Sequence, residues 1–141
     1  FGIPDNTKVH KYMQLYVLDS FVRKQIPCLP YRIYINKQLY KPLFESLKQI
    51  AIAGLGKHIT EWNGAYCVRQ MRGLKTWSLH SWGIAFDINA STNQLGTDGN
   101  MNKKIIDIFE SNGLEWGGNW HRKDPMHFQL KSIINENSSN S

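Results

Sequence analysis

Glycine and proline divide this chain of 141 residues into short runs that suit strands or short helices. Pro27 and Pro30 must end any preceding helix, and Gly54 and Gly56 follow a run with helical spacing. The strand-like runs come singly or in hairpins, without the regular alternation of strand and helix that parallel sheets require. The glycine-rich phosphate-binding turn of doubly wound folds is also missing from the sequence. We therefore expect an α+β domain with a small, mainly antiparallel sheet and helices packed against it.

The spacing of apolar residues predicts the elements of the first half. Helices are expected over 7–25 and 41–53, the second with Pro42 in its first turn, and a strand is expected over 31–35. The pair Asn63-Gly64 is typical of a hairpin turn and predicts short strands at 57–61 and 65–69.

The second half is richer in loops. We expect an aperiodic loop over 72–83, a strand over 84–88, a helix over 102–112, and short strands at 114–116 and 126–130. The polar, glycine-rich excursion over 89–102 is of the kind that borders a binding cleft.

Composition limits the class of protein. The length predicts one domain, over 1–134, followed by an Asn- and Ser-rich tail over 135–141 that we expect to be disordered. The apolar stretches are too short to span a membrane, so we expect a soluble protein, acting as a monomer. The net charge of +6 favours attraction to a polyanion such as nucleic acid, an acidic cell wall or a membrane face, or serves only solubility.

Cys28 and Cys67 are the two cysteines, and they lie too far apart for a zinc knuckle or a close redox pair. They are either free buried thiols or a disulfide, and a disulfide would imply an oxidising compartment.

Two segments supply ligand types that zinc accepts. His80 and Asp87 are separated by a glycine at position 83 and a strand, and His127 follows Asp124 by three residues. Two imidazoles and one carboxylate would leave the fourth tetrahedral position for water, which is the composition of a catalytic site. On one extended strand, His80 and Asp87 would face opposite sides, so a bend at Gly83 is needed for them to converge.

The pattern S-x-H-x-x-G-x-A-x-D over 78–87, then W-G-G-x-W over 116–120 and D-x-x-H-F over 124–128, resembles a known family. It is that of the zinc D-Ala-D-Ala carboxypeptidases and L-alanyl-D-glutamate endopeptidases, which includes phage endolysins and vancomycin-resistance dipeptidases. The likeness covers roughly 66–130, and the N-terminal half matches only in general character. It implies a Hedgehog/DD-peptidase-like fold, a small antiparallel sheet with packed helices.

The resemblance also implies residue roles. The zinc ligands, for one ion per chain, would be His80, Asp87 and His127, and Asp124 would be the catalytic acid/base. The family's substrate-binding arginine, which polarises the scissile carbonyl, falls at Arg69, with Arg72 as a competitor for that role. Ser78 would lie beside the substrate.

Several side chains near these motifs have more than one interpretation. Trp82 and Trp120 are candidates for the wall of a substrate groove, although core packing is as reasonable for Trp82 and for Trp116. Glu115 is a second candidate base, restricted by its strand. His121 is either a rim residue or a ligand. His10 and His58 are expected to be structural, and the basic pair at 122–123 is expected to be solvated.

These features predict a zinc peptidase that hydrolyses the stem peptide of bacterial peptidoglycan and does not act on nucleic acid. L-Alanyl-D-glutamate endopeptidase is the first choice, because W-G-G-x-W before D-x-x-H-F resembles the endolysin-like branch. D-Ala-D-Ala carboxypeptidase is the alternative. Such a protein acts on the cell wall, passing from the host cytoplasm to the periplasm or wall if it is phage-encoded. A metal-dependent nuclease is a further alternative, although the spacing does not fit a His-Asn hairpin unit. A non-catalytic wall-binding module is another, against which Asp124 argues.

Overall fold

The computed structural model describes residues 12–65 and 83–131. In chain order the strands and helices are β1 (Met13–Val17), α1 (Ser20–Gln25), β2 (Arg32–Asn36), α2 (Lys37–Ile52), β3 (Ala85–Asp87), α3 (Lys103–Ser111), β4 (Leu114–Trp116) and β5 (His127–Leu130). Short 3₁₀ turns lie at Gly56–His58, Ala90–Thr92 and Gly117–Asn119. The mixture of helices and antiparallel strands confirms the predicted α+β class.

The strands of the described residues form two antiparallel sheets instead of the one that we expected. β1 pairs with β2, and β5 lies between β3 and β4 in a three-stranded sheet. A backbone hydrogen bond of 3.0 Å from Asn36 N to Gly83 O links the end of β2 to the segment just before β3. Gly83 has a φ of +67°, and a Cβ atom there would lie 2.8 Å from Asn36 N. Only glycine therefore allows this close approach.

The predicted helix over 7–25 is wrong for 13–17, which form β1. These residues pair with all of β2, as in the partners Leu15 and Tyr34, and this long-range pairing outweighs a weak helical spacing. The helix begins only at Ser20, where Asp19 Oδ1 accepts a 2.7 Å hydrogen bond from Phe21 N. It ends at Gln25, before Pro27, as expected.

The second predicted helix begins four residues early, at Lys37. Asn36 caps it by accepting a 2.9 Å hydrogen bond from Gln38 N, so Pro42 lies inside the helix and not in its first turn. The helix ends at Ile52, and Gly54 follows with a φ of +74°.

The predicted hairpin around Asn63-Gly64 is also wrong in its described part. Residues 56–58 form a 3₁₀ turn, and 62–64 pair with the region of β3 instead. Asn63 N donates to Asp87 O at 2.9 Å, and Asp87 N donates to Gly64 O at 3.1 Å. The second arm of the hairpin, over 66–69, lies outside the described residues.

The core beneath the three-stranded sheet is aromatic. The ring centroids of Phe86 and Phe128 lie 5.6 Å apart, and those of Phe109 and Phe128 lie 4.6 Å apart. α3 contributes Phe109 together with Ile105 and Ile106, which are its buried residues. The predicted strands at 84–88, 114–116 and 126–130 are confirmed within a few residues. Among the described helices, none is long and apolar enough to cross a bilayer.

Candidate functional site

The pairing of β3 with β5 places Asp87 directly opposite His127. Asp87 Oδ1 lies 3.2 Å from Nδ1 of His127, and Asp124 Oδ2 lies 3.9 Å from the same nitrogen. The His127 side chain is 8% exposed, whereas those of Asp87 and Asp124 are 22% and 23% exposed. Two partly exposed carboxylates thus converge on one buried imidazole.

Strand alternation separates this site from the core. Successive residues on a strand face opposite sides, so His127 and Gln129 share one face while Phe128 and Leu130 share the other. Phe128 is fully buried against Phe86 on the core side. The alternation explains how β5 can carry polar side chains on one face while its other face packs in the aromatic core.

The motif W-G-G-x-W packs against the loop that carries Asp124. Asp124 N donates to Gly117 O at 2.9 Å, and a Cβ atom on Gly117 would collide with Asp124 O. A Cβ atom on Gly118 would collide with the indole ring of Trp116. The Trp116 Nε1 donates to Pro125 O at 2.7 Å. Both glycines are therefore needed for the close contact that fixes the position of Asp124.

The predicted excursion over 89–102 borders the site, as expected. Gly96 N donates to Lys123 O at 2.7 Å, and the Lys123 ammonium forms an ion pair with Asp98. A Cβ atom on Gly99 would lie 2.9 Å from Pro125. The excursion thus contacts the loop at 123–125.

His127 is held at both ring nitrogens. Nδ1 faces Asp87, and Nε2 lies 2.8 Å from Oε1 of Gln129. Burial acts to lower the pKa of His127, but the hydrogen bond and charge of Asp87, with smaller contributions from Gln129 and Asp124, outweigh burial and raise the pKa above its usual value. The neighbouring carboxylates thus favour the protonated, positively charged form of the ring.

The donor chemistry fits a metal. An unprotonated Nδ1 and a carboxylate oxygen are both acceptors, so their approach to 3.2 Å requires either a proton on Nδ1 or a cation between the two atoms. Imidazole and carboxylate are both zinc ligand types. Within 12–65 and 83–131, no group of three or more His, Cys, Asp or Glu side chains has the arrangement of a metal site. The third predicted ligand, His80, lies outside the described residues, so the complete metal site stays a prediction.

The structure brings together Asp87, Asp124 and His127 from the predicted set, and Trp120 lies beside them with its ring centroid 5.2 Å from that of His127. The other predicted site residues lie outside the described residues, so their roles stay predictions. They are Arg69, Arg72, Ser78, His80 and Trp82.

The alternative interpretations are partly resolved. Glu115 accepts a 3.0 Å hydrogen bond from Gln129. Trp116 packs against the core, as expected for a wall residue. His121 is exposed, which agrees with a rim position, and so are the two basic residues that follow it. Cys28 is a free, half-buried thiol.

Gln129 and Asn89 were missed by sequence reasoning. Gln129 follows His127 by two residues on a predicted strand, so the period of two already placed it on the same face. No comparable sequence signal marked Asn89, which contacts the loop at 58–61 through its side chain.

A comparison with protein families finds a match to part of the chain. A model described as D-alanyl-D-alanine carboxypeptidase matches residues 72–130. This segment contains Asp87, Asp124 and His127, and it begins after Arg69. Over this segment the chain is similar to that family. A comparison with individual curated proteins gives no match.

Proposed function

We propose that the chain is a zinc-dependent hydrolase that cleaves the peptide part of bacterial peptidoglycan. The observation that carries the proposal is the convergence of Asp87 and Asp124 on Nδ1 of His127, inside the segment that matches the carboxypeptidase family. The family match supports the proposed class of substrate. The convergence adds the acidic and imidazole groups that hydrolysis of an amide requires.

Asp87 and His127 would hold the ion together with His80. When bound, zinc supplies a Lewis acid that polarises a carbonyl and makes water more acidic. Asp124 is suited to accept the proton of the attacking water, because its carboxylate lies 3.9 Å from His127 Nδ1 and is partly exposed. The same carboxyl group then returns the proton to the nitrogen of the leaving amine.

Arg69 would donate to the scissile carbonyl oxygen and stabilise the charge that develops there, with Arg72 as the alternative donor. One such preorganised donor is worth about 3 to 4 kcal/mol of transition-state stabilisation. Ser78, Trp82 and Trp120 would position the substrate. Of these, Trp120 has a described place, with its ring beside His127.

The test is digestion of purified sacculi by zinc-loaded protein, with new amino and carboxyl termini measured. We expect release by the wild type, none by His80→Ala, and wild-type release by Asp107→Asn, which changes an exposed residue of α3. Equal release by wild type and His80→Ala would contradict the proposal. Plasmid DNA incubated with magnesium or manganese serves as the control for nuclease activity, and we expect it to stay intact.

The bond that is cleaved separates two versions of the proposal. The order of W-G-G-x-W and D-x-x-H-F favours an L-alanyl-D-glutamate endopeptidase, whereas the description of the matching family favours a D-Ala-D-Ala carboxypeptidase. Mass spectrometry of the products distinguishes them. An endopeptidase releases a peptide that begins with D-glutamate, and a carboxypeptidase releases free D-alanine.

A further inference from the structure

Gln129 and Glu115 continue the site along the polar face of the three-stranded sheet. Glu115 on β4 is the cross-strand partner of Gln129 on β5, and His127 precedes Gln129 by two residues on the same face. Gln129 Nε2 donates to Glu115 Oε1 at 3.0 Å, and Gln129 Oε1 lies 2.8 Å from His127 Nε2. Gln129 is only 9% exposed. Three side chains from two strands thus form one continuous row of hydrogen bonds.

Chemistry fixes the direction of this row. An ionised carboxylate can only accept hydrogen bonds, so the amide group of Gln129 must turn its NH₂ toward Glu115. The carbonyl oxygen of Gln129 must then face His127, and because this oxygen also only accepts, Nε2 of His127 must carry a proton. Nδ1 is consequently the ring nitrogen that can bind a metal ion, and it is the one that faces Asp87 and Asp124.

We propose that Gln129 and Glu115 are positioning residues that hold the His127 ring with Nε2 protonated and Nδ1 directed at the metal. The proposal rests on the proposed function, in which His127 binds zinc. Gln129 acts through His127, and Glu115 acts through Gln129. Partners of this kind change metal affinity by about 10- to 100-fold when they are removed.

The first test measures the zinc affinity of the metal-free full chain by competition with a chromophoric chelator. Gln129→Leu keeps the size of the side chain but removes both hydrogen bonds, and we expect affinity to fall on the order of 10- to 100-fold. Gln14→Leu, an exposed position on β1, is the matched control and should bind as the wild type does. Wild-type affinity in a folded Gln129→Leu protein would overturn the proposal.

A charge exchange tests the direction of the row. Gln129→Glu alone opposes two carboxylates across a contact of 3.0 Å and should weaken zinc binding. Adding Glu115→Gln supplies an amide that donates to the new carboxylate, which in turn accepts from His127 Nε2, so the double variant should recover most of the lost affinity. A double variant that binds no better than Gln129→Glu would contradict the stated direction. Recovery would also show that the substituted chain folds.

A spectroscopic measurement separates this proposal from the proposed function. In metal-free wild type we expect a slowly exchanging Nε2 proton of His127 in a ¹H–¹⁵N spectrum of the imidazole, and we expect Gln129→Leu to lose it. If the wild type bound no zinc, the proposed function would fail, while loss of this signal in Gln129→Leu would still support the role of Gln129. Persistence of the signal in Gln129→Leu would refute that role whether or not zinc binds.

Discussion

Asn89 adopts a left-handed backbone conformation just after β3, with a φ of +54°. Its buried side chain accepts hydrogen bonds from Thr60 N at 2.8 Å and from Glu61 N at 3.1 Å, and it donates to His58 O at 2.8 Å. Asparagine tolerates this conformation better than most residues do. One side chain therefore joins the loop at 58–61 to the strand that carries Asp87.

Replacing Asn89 by alanine should lower the free energy of unfolding by about 3 kcal/mol, because buried backbone groups lose their partners and alanine is strained at positive φ. Urea denaturation of the metal-free protein measures the change. Asn119→Ala, at an exposed position, should stay within about 0.5 kcal/mol of the wild type. Equal stability of the two variants would contradict the structural role of Asn89.

Asp124→Asn should separate proton transfer from metal binding. The amide keeps the shape of the side chain but cannot act as a base, so we expect kcat on a muropeptide substrate to fall by about 10² to 10⁴. Zinc affinity should change little, because Asp124 is not one of the predicted ligands. Chelator competition and steady-state kinetics on the same preparation measure both effects, and a variant that lost zinc instead of turnover would assign Asp124 to the metal.

β5 combines a core face and a site face within four residues, and its alternation of polar and apolar side chains was visible in the sequence. The strand itself could therefore be predicted. Its register against β3, which sets Asp87 opposite His127, could not, because it depends on pairing between segments far apart in the chain. The packing of Gly117 against Asp124 was hidden for the same reason, although the motif that contains both was recognised.

Gly117→Ala should reduce activity by more than its loss of stability can explain. The new Cβ atom would collide with Asp124 O and displace the loop, and a misplacement of about 1 Å can cost about 10²-fold in rate. Gly54→Ala is the control, since it has positive φ but nothing within 4 Å of the added atom. Both variants should lose some stability, whereas only Gly117→Ala should lose kcat when assayed as folded protein. Equal activity of the two would show that this contact does not position Asp124.

At the scale of the whole molecule, local sequence patterns predicted the α+β class. Contacts between distant segments determined the strand pairing, which those patterns did not predict. The predicted hairpin is wrong in its described part because 62–64 pair with the region of β3, and the predicted helix is wrong for 13–17 because these residues pair with β2. The candidate site likewise joins residues from β3, the loop before β5 and β5 itself. The single domain over 1–134, the monomeric state and the role of His80 stay predictions.

In the proposed function, this site hydrolyses cell-wall peptide with the help of a metal ion. The most direct measurement follows release of new termini from sacculi before chelation, after removal of metal, and after one equivalent of zinc is returned. We predict that the wild type loses activity on chelation and regains it with zinc, and that Asp87→Ala stays inactive throughout. Hydrolysis that persists in the chelated protein, or an Asp87→Ala variant as active as the wild type, would contradict the account.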